Sequence, residues 1–191
     1  MRFEKALANE PHADLKLFLR LALDTGARKT DILSMRWQDI DWESQTWNVP
    51  RPKNRVPYLV QLSTLPKSLA ALKARRREAP SDAKYVFAGE GRNGYVENVD
   101  APWHLFRERA GIPTIHLHDL RRTTGSYAAM AGQSLPQIGA ILGHASLQST
   151  MIYARLADAS VREARVAGQK KMAQLMAKAA KRHKSGLSVV A

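Results

Sequence analysis

The sequence predicts an α+β fold, mainly α-helical, with a small antiparallel sheet. Three observations predict it. Apolar residues recur at helical spacing along most of the 191-residue chain, and several of these runs end on glycine. Two short β-prone runs flank a loop bounded by Pro50 and Pro57. A hydrophobic content of 45% supports an ordinary buried core in one domain, or a small domain with a tail.

The elements follow in order. Leu15, Phe18, Leu19, Ala22 and Leu23 share a helical face, and Gly26 stands where a C-terminal cap belongs. A second, short helix is expected over 29–37, with Ile32 and Leu33 facing inward, and Asp39-Ile40-Asp41 reads as a turn. Residues 46–49 and 58–62 read as strands, joined by a loop that carries Arg51, Lys53 and Arg55. The prolines beside this loop suit a strand end or a sheet edge, because proline cannot donate to a ladder. Ser63 or Thr64 is expected to cap a helix holding Leu65, Leu69 and Leu72, which ends in Arg75-Arg76-Arg77. Residues 84–94 are less regular, punctuated by Gly89, Gly91 and Gly94. Further helices are expected over 103–110, stopped by Gly111 and Pro113, over 117–131, ending at Gly132, and over 136–142, ending at Gly143. A short helix over 151–156 precedes a last one over 159–184, which has eight Lys or Arg and one Glu between 162 and 184. No internal repeat and no clear linker is visible.

Thirty Lys and Arg against seventeen Asp and Glu give a net charge of +13. A surplus that large favours polyanion partners, with nucleic acid the default. The absence of cysteine removes disulfides, thiolate catalysis and cysteine-based metal sites. The apolar stretch around 15–23 is interrupted by Lys16 and Arg20 and is too short for a bilayer. Residues 1–9 lack the apolar core of a signal peptide. A soluble, cytoplasmic protein is therefore expected.

The chemistry is concentrated in HDLRRTTGSYAAMAG and LGHASLQSTMIYARL. His118 and Arg121 are three apart, so a helix puts them on one face. Gly143-His144 follows a helix end, and Tyr153 lies nine residues beyond His144. Upstream, TGARKTDIL supplies Arg28 and Asp31, and the loop supplies Lys53. Two arginines, two histidines, a lysine and a tyrosine are the parts that phosphoryl transfer without a metal needs. Guanidinium forks match the non-bridging phosphate oxygens and stay charged at any working pH. One fixed donor aimed at developing charge is worth about 3–4 kcal/mol. A nucleophile other than water forms a covalent intermediate that conserves the bond energy for rejoining. Tyrosine needs neighbouring cations or a histidine base to lose its proton. The leaving 5′ oxygen needs a proton donor, which a lysine can be.

TGARKTDIL, the lysine-bearing hairpin, HDLR, LGH and TMIYARL resemble, in order, the signature blocks of the tyrosine recombinase (phage integrase) family. The likeness runs from about residue 15 to 156, and five blocks in the right order are far more specific than any one of them. The resemblance implies the catalytic fold of these DNA breaking-rejoining enzymes. It implies that Tyr153 attacks the scissile phosphate and becomes linked to the 3′ phosphate. Arg28 and Arg121 clamp the non-bridging oxygens, Lys53 protonates the leaving oxygen and His144 donates to the phosphate. His118 acts in proton transfer or positioning, and Asp31 orients an arginine from behind. Arg51, Arg55 and Arg122 are assigned to DNA contacts. Because Arg51 and Arg55 flank Lys53, three cations compete for the general-acid role. No metal, nucleotide or other cofactor is implied. The expected partners are double-stranded DNA and further copies of the chain, a tetramer on DNA and a monomer in isolation, in the nucleoid of a bacterial or phage-type setting.

The expected organisation is a catalytic domain over 1–158 and a basic C-terminal helix and tail over 159–191, which docks on a neighbouring protomer or binds DNA. The helical N-terminal domain usual in the family is expected to be missing, the chain being read as a fragment, an engineered piece or a short relative. In the last helix Val166, Met172, Leu175, Met176 and Ala179 form an imperfect apolar stripe, whose plain reading is packing within the chain. His116 is read as structural or DNA-facing, and His104 and His183 as solvated. The basic run over 73–77 reads equally as a solvated helix face or a phosphate contact. Two other classes stay open: a catalytically silent DNA-binding module, and a type IB topoisomerase using similar chemistry as a monomer. The complete set of catalytic side chains disfavours the first, and the LGH-to-tyrosine spacing disfavours the second.

Overall fold

In a computed structural model of the chain, residues 2–50 and 57–187 are described, without the side chains of 158–160, 163–164 and 179–187. The apolar run that opens the chain forms α2 (Ala13–Thr25), and Gly26 ends it in the left-handed conformation at φ 65°. Leu15, Leu17, Phe18, Leu19, Leu21 and Ala22 are all buried, so α2 is covered on nearly every side, as a central helix must be. Before it lies α1 (Arg2–Ala8), which the apolar pattern does not announce. Phe3 holds it edge-on to Phe106 at 5.4 Å, and Glu4 accepts two hydrogen bonds from Arg20, at 2.9 and 2.7 Å.

The helix expected over 29–37 stops early, as α3 (Lys29–Leu33), with Trp37 in a separate 3-10 turn. Long-range backbone pairing overrides helix propensity here. Trp37 N–H donates to the Lys84 carbonyl at 3.1 Å, and Val86 N–H donates to that of Met35 at 2.9 Å. The expected turn at 39–41 is instead β1 (Ile40–Asp41), which pairs with β2 (Thr46–Val49), Ile40 opposite Trp47. The turn lies just beyond, where Asp41 Oδ1 accepts from the N–H groups of Glu43 and Ser44, and Gln45 takes a φ of 52°. β3 (Tyr58–Gln61) completes an antiparallel sheet of order β1-β2-β3. β2, at its centre, buries Trp47 and Val49, while Pro50 and Pro57 stand at strand ends as expected.

α4 (Pro66–Glu78) has Leu65, not Ser63 or Thr64, at its N-cap. Pro66 presets the first turn, and the Thr64 hydroxyl donates to the Gln61 carbonyl instead. α5 (Asp100–Arg109), α6 (Leu117–Met130) and α7 (Leu135–Leu142) follow close to their expected limits, α7 capped by Ser134 and Gln137 in reciprocal hydrogen bonds. After α7, residues Leu147–Tyr153 form a 3-10 helix that runs directly into α8 (Ala154–Leu187). One continuous helix thus stands where two were expected.

Two apolar clusters result. The larger gathers α1 to α5 and the sheet around Phe18, Trp47, Phe87 and Phe106. The smaller consists of Ala129, Ile138, Leu142 and Tyr153. α6 serves both, with Leu120 in the first and Ala129 in the second. Gly26 lies at the seam: a Cβ there would come within 2.7 Å of Leu142 Cδ2 and 3.1 Å of Thr124 Cβ. Gly26→Ala combines left-handed backbone strain with overpacking and is expected to destabilise the fold by about 2–4 kcal/mol, measured by urea unfolding.

Candidate active site

Two arginines from distant parts of the chain are each tied to the end of a helix other than their own. Arg121, on α6, donates through Nη1 to the Gly26 carbonyl at the end of α2, at 2.6 Å. Arg28, at the N-cap of α3, donates through Nη1 to the Gly143 carbonyl at the end of α7, at 3.2 Å. Helix C-termini carry partial negative charge and unpaired carbonyls, so each arginine finds a natural anchor. Both acceptors are left-handed glycines, Gly143 at φ 60°. Asp31 Oδ2 lies 3.9 Å from Arg28 Nη1. Arg28, His118 and Arg121 line one cleft of about 280 Å³, with Lys29 and Asp100 paired at its edge.

His144 follows Gly143 in a Schellman turn: His144 N–H donates to the Gly139 carbonyl, and Gly143 N–H to that of Ala140. The backbone of His144 therefore closes the helix, and its ring is left for other work. Nδ1 of that ring lies 2.8 Å from Thr150 Oγ1. Tyr153 ends the 3-10 helix with its ring buried against α6 at Gly125, one helical turn beyond Arg121. A Cβ on Gly125 would lie 2.4 Å from Tyr153 Cζ and 2.7 Å from its hydroxyl oxygen. Glycine inside a helix costs about 1 kcal/mol relative to alanine, and here it makes room for the tyrosine.

The site is built to attract an anion. Arg121 is only 5% exposed, and burial, then Arg28 beside it, hold its pKa below the ordinary value. His144 is pushed down to about 4, by burial first and then by Arg121, Arg28 and His118. His118 is also lowered, by burial and then by Arg121 and Arg122. Both imidazoles are thus held toward the neutral form, in which one nitrogen donates and the other accepts. Burial raises the pKa of Tyr153, against the pull of Arg121 and Arg122, so its hydroxyl keeps its proton in the free protein. Arg28, Asp31, His118, Arg121, His144 and Tyr153 are thus brought within electrostatic reach of one another. Arg122 is exposed, paired with Asp119 at 3.0 Å. Lys53, Arg51 and Arg55 lie outside the described residues. Tyr58, the first residue of β3, packs beside the site, since a Cβ on Gly143 would meet its ring at 2.4 Å.

His116 caps α6, its N–H donating to Asp119 Oδ2 at 2.8 Å, in line with the structural reading. His104 is exposed, and the side chain of His183 is outside the described residues. Within the basic run, Arg75 pairs with Asp14 at 2.7 Å and Arg76 covers the Trp37 ring at 5.4 Å, so both are occupied within the fold. Two participants escape the sequence reading, Gly125 and Thr150. A lone glycine inside the helical run RRTTGSYAAM is the signal that could have found the first. Among the described residues no three His, Asp or Glu side chains converge as a metal site requires. Nor is any helix among them long and apolar enough to cross a membrane.

The phage integrase family matches residues 3–160, and the chain belongs to that family. The integrase of Salmonella phage P22 is 24% identical over 165 residues, covering 80% of this chain and 42% of its own. The crystal structure of XerA recombinase superposes with a TM-score of 0.69 at 23% identity, over 87% of this chain and 61% of that one. The catalytic domain of bacteriophage HP1 integrase does so with a TM-score of 0.62 at 24% identity, over 85% and 89%. The chain spans about half or less of the length of most curated relatives it matches.

Two outcomes follow from the geometry. Gly125→Ala forces a methyl into the Tyr153 ring; it is expected to cost about 1–3 kcal/mol of stability and to displace Tyr153, read as altered Tyr153 ring signals by NMR. His144, with its folded pKa near 4 against an ordinary 6.5, binds its proton more weakly folded than unfolded. Its contribution is complete above about pH 6.5 and is lost as pH falls toward 4. Unfolding midpoints followed between pH 7 and 4 should fall less steeply in His144→Gln than in the unaltered chain.

Proposed function

We propose that this chain is a tyrosine-type site-specific recombinase (integrase) domain, cutting and rejoining double-stranded DNA through a covalent 3′-phosphotyrosine without metal or ATP. One observation carries the reading: buried Arg121 sits beside Arg28, within electrostatic reach of both Tyr153 and His144, at anchored helix ends. A phosphodiester supplies the anion this arrangement lacks. Arg28 and Arg121 hold its two non-bridging oxygens, and Asp31 steadies Arg28. His144 donates to a phosphate oxygen as charge builds there.

The Tyr153 oxygen forms a bond to phosphorus as the bond from phosphorus to the 5′ oxygen breaks. His118, held toward its neutral form, takes the tyrosine proton, or holds the group that does. Lys53 gives a proton to the leaving 5′ oxygen, and Arg51, Arg55 and Arg122 bind flanking phosphates. The phosphate field of the bound DNA is offset by the arginines, which draw the tyrosine toward its anion. Attack by a 5′ hydroxyl reverses the chemistry and rejoins the strand. Residues 1–158 form the catalytic unit in this reading. α8 supplies a surface for a second protomer, because Val166, Met172, Leu175 and Met176 are exposed rather than packed within the chain. The working assembly is a tetramer on two duplexes in a bacterial or phage-type nucleoid, from a chain that is monomeric in isolation.

The test is a nicked duplex with candidate core sites, which traps cleaved strands on the protein. A covalent complex on a denaturing gel that vanishes in Tyr153→Phe is expected, with Arg121→Lys slowing its formation about 10²–10³-fold. No complex from the unaltered chain while DNA is still bound points to a silent DNA-binding module. Affinity for duplex DNA is expected to fall steeply between 50 and 200 mM salt, by roughly tenfold or more; a salt-independent affinity removes DNA as the partner.

A further inference from the structure

The Thr150 side chain is completely buried, three residues before Tyr153 on the same 3-10 helix. Among the described residues, the hydrogen-bond partner of its hydroxyl is Nδ1 of His144, at 2.8 Å. The bond fits because the helix behind it carries a glycine: a Cβ on Gly139 would stand 3.2 Å from Thr150 Oγ1. Gly139 also accepts the His144 N–H through its carbonyl. Three residues thus fix the imidazole: Gly139 through the backbone, Gly143 through the left-handed turn and Thr150 through the ring.

The direction of the bond decides what the other ring nitrogen does. If Nδ1 carried the proton and Thr150 accepted it, the hydroxyl hydrogen would be buried with no acceptor, and a buried unmade hydrogen bond is costly. If the hydroxyl donates to a bare Nδ1, its hydrogen is satisfied and the neutral ring carries its proton on Nε2. We infer that Thr150 is a positioning residue: its hydroxyl donates to His144 Nδ1, holds the imidazole in the Nε2–H tautomer and ties it to the turn that carries Tyr153. The inference rests on the recombinase reading for its purpose, a phosphate to which Nε2–H donates. A bare Nε2 would instead turn a lone pair toward an anion. Burial first, and then Arg121 and Arg28, keep the ring neutral, so its tautomer is left for Thr150 to set. Donor and nucleophile consequently move as one rigid unit.

Thr150→Val removes the hydroxyl at nearly constant volume, and Thr150→Ser keeps it. Two readouts are taken on the full chain. Nitrogen-15 NMR of histidine-labelled protein without DNA reports the His144 tautomer, assigned by the signal lost in His144→Gln. Single-turnover formation of the covalent complex on a nicked duplex reports the chemistry. The expected result is Nε2–H in the unaltered chain and in Thr150→Ser. Thr150→Val should give a mixed or Nδ1–H ring and cleavage about tenfold slower or more, with duplex affinity unchanged. A proton on Nδ1 in the unaltered chain overturns the inference. So does a Thr150→Val protein with the original tautomer and rate, or a Thr150→Ser protein as slow as Thr150→Val. Should the unaltered chain form no covalent complex, the recombinase reading fails by itself, and the spectra still decide whether Thr150 sets the ring.

Discussion

The structure depends on two carbonyl groups, those of Gly26 and Gly143. Each closes a helix in the left-handed conformation, and each accepts a hydrogen bond from an arginine that belongs to another element. The pairs cross: α6 reaches the end of α2, and the N-cap of α3 reaches the end of α7. Without these anchors two guanidinium groups would meet in a cleft where Asp31 lies 3.9 Å from Arg28 and Asp100 is paired with Lys29. A buried cation is tolerated where fixed dipoles replace its water, and helix C-termini are dense sources of such dipoles. The capping glycines therefore end helices, seat the seam between two apolar clusters and hold the charges that give the cleft its preference for anions.

Much of this was legible in the chain. The periodicity of 15–23 with Gly26 behind it, the proline-bounded hairpin and the glycine at 143 are local signals, and the structure keeps them. The misreadings have different causes. α3 stops at Leu33 because Met35 and Trp37 pair with residues near 85, and Ile40–Asp41 is a strand because Trp47 lies opposite it. Met35 and Trp37 find their partners about fifty residues on, outside any local window, whereas Ile40 and Trp47 are only seven apart and the two-residue β1 is too short to show an alternating pattern. α1 escaped because a seven-residue helix shows too few turns for a period, and its hold on the domain comes from Phe106 and Arg20.

At the site, the residue types that carry charge were visible, and the ones that carry shape were not. Arg28, His118, Arg121, His144 and Tyr153 stand out because their chemistry is unusual in combination. Gly125 and Thr150 are ordinary residues whose importance appears only once Tyr153 lies on α6 and the His144 ring lies on the 3-10 helix. The first group could be read from motif spacing, and packing geometry alone speaks for the second.

Tyr153 is followed without a break by α8, since Ala154 is already helical and the helix continues to Leu187. A helix of that length is a rod of about 50 Å. Rods transmit rotation, and a flexible tether would have absorbed it. A load applied far along α8 therefore arrives as torque at its root, where Tyr153 ends the 3-10 helix and its ring packs against Gly125. Small displacements at the tyrosine correspond to large ones at the tip, so the geometry of the helix is that of a lever with its short arm at Tyr153.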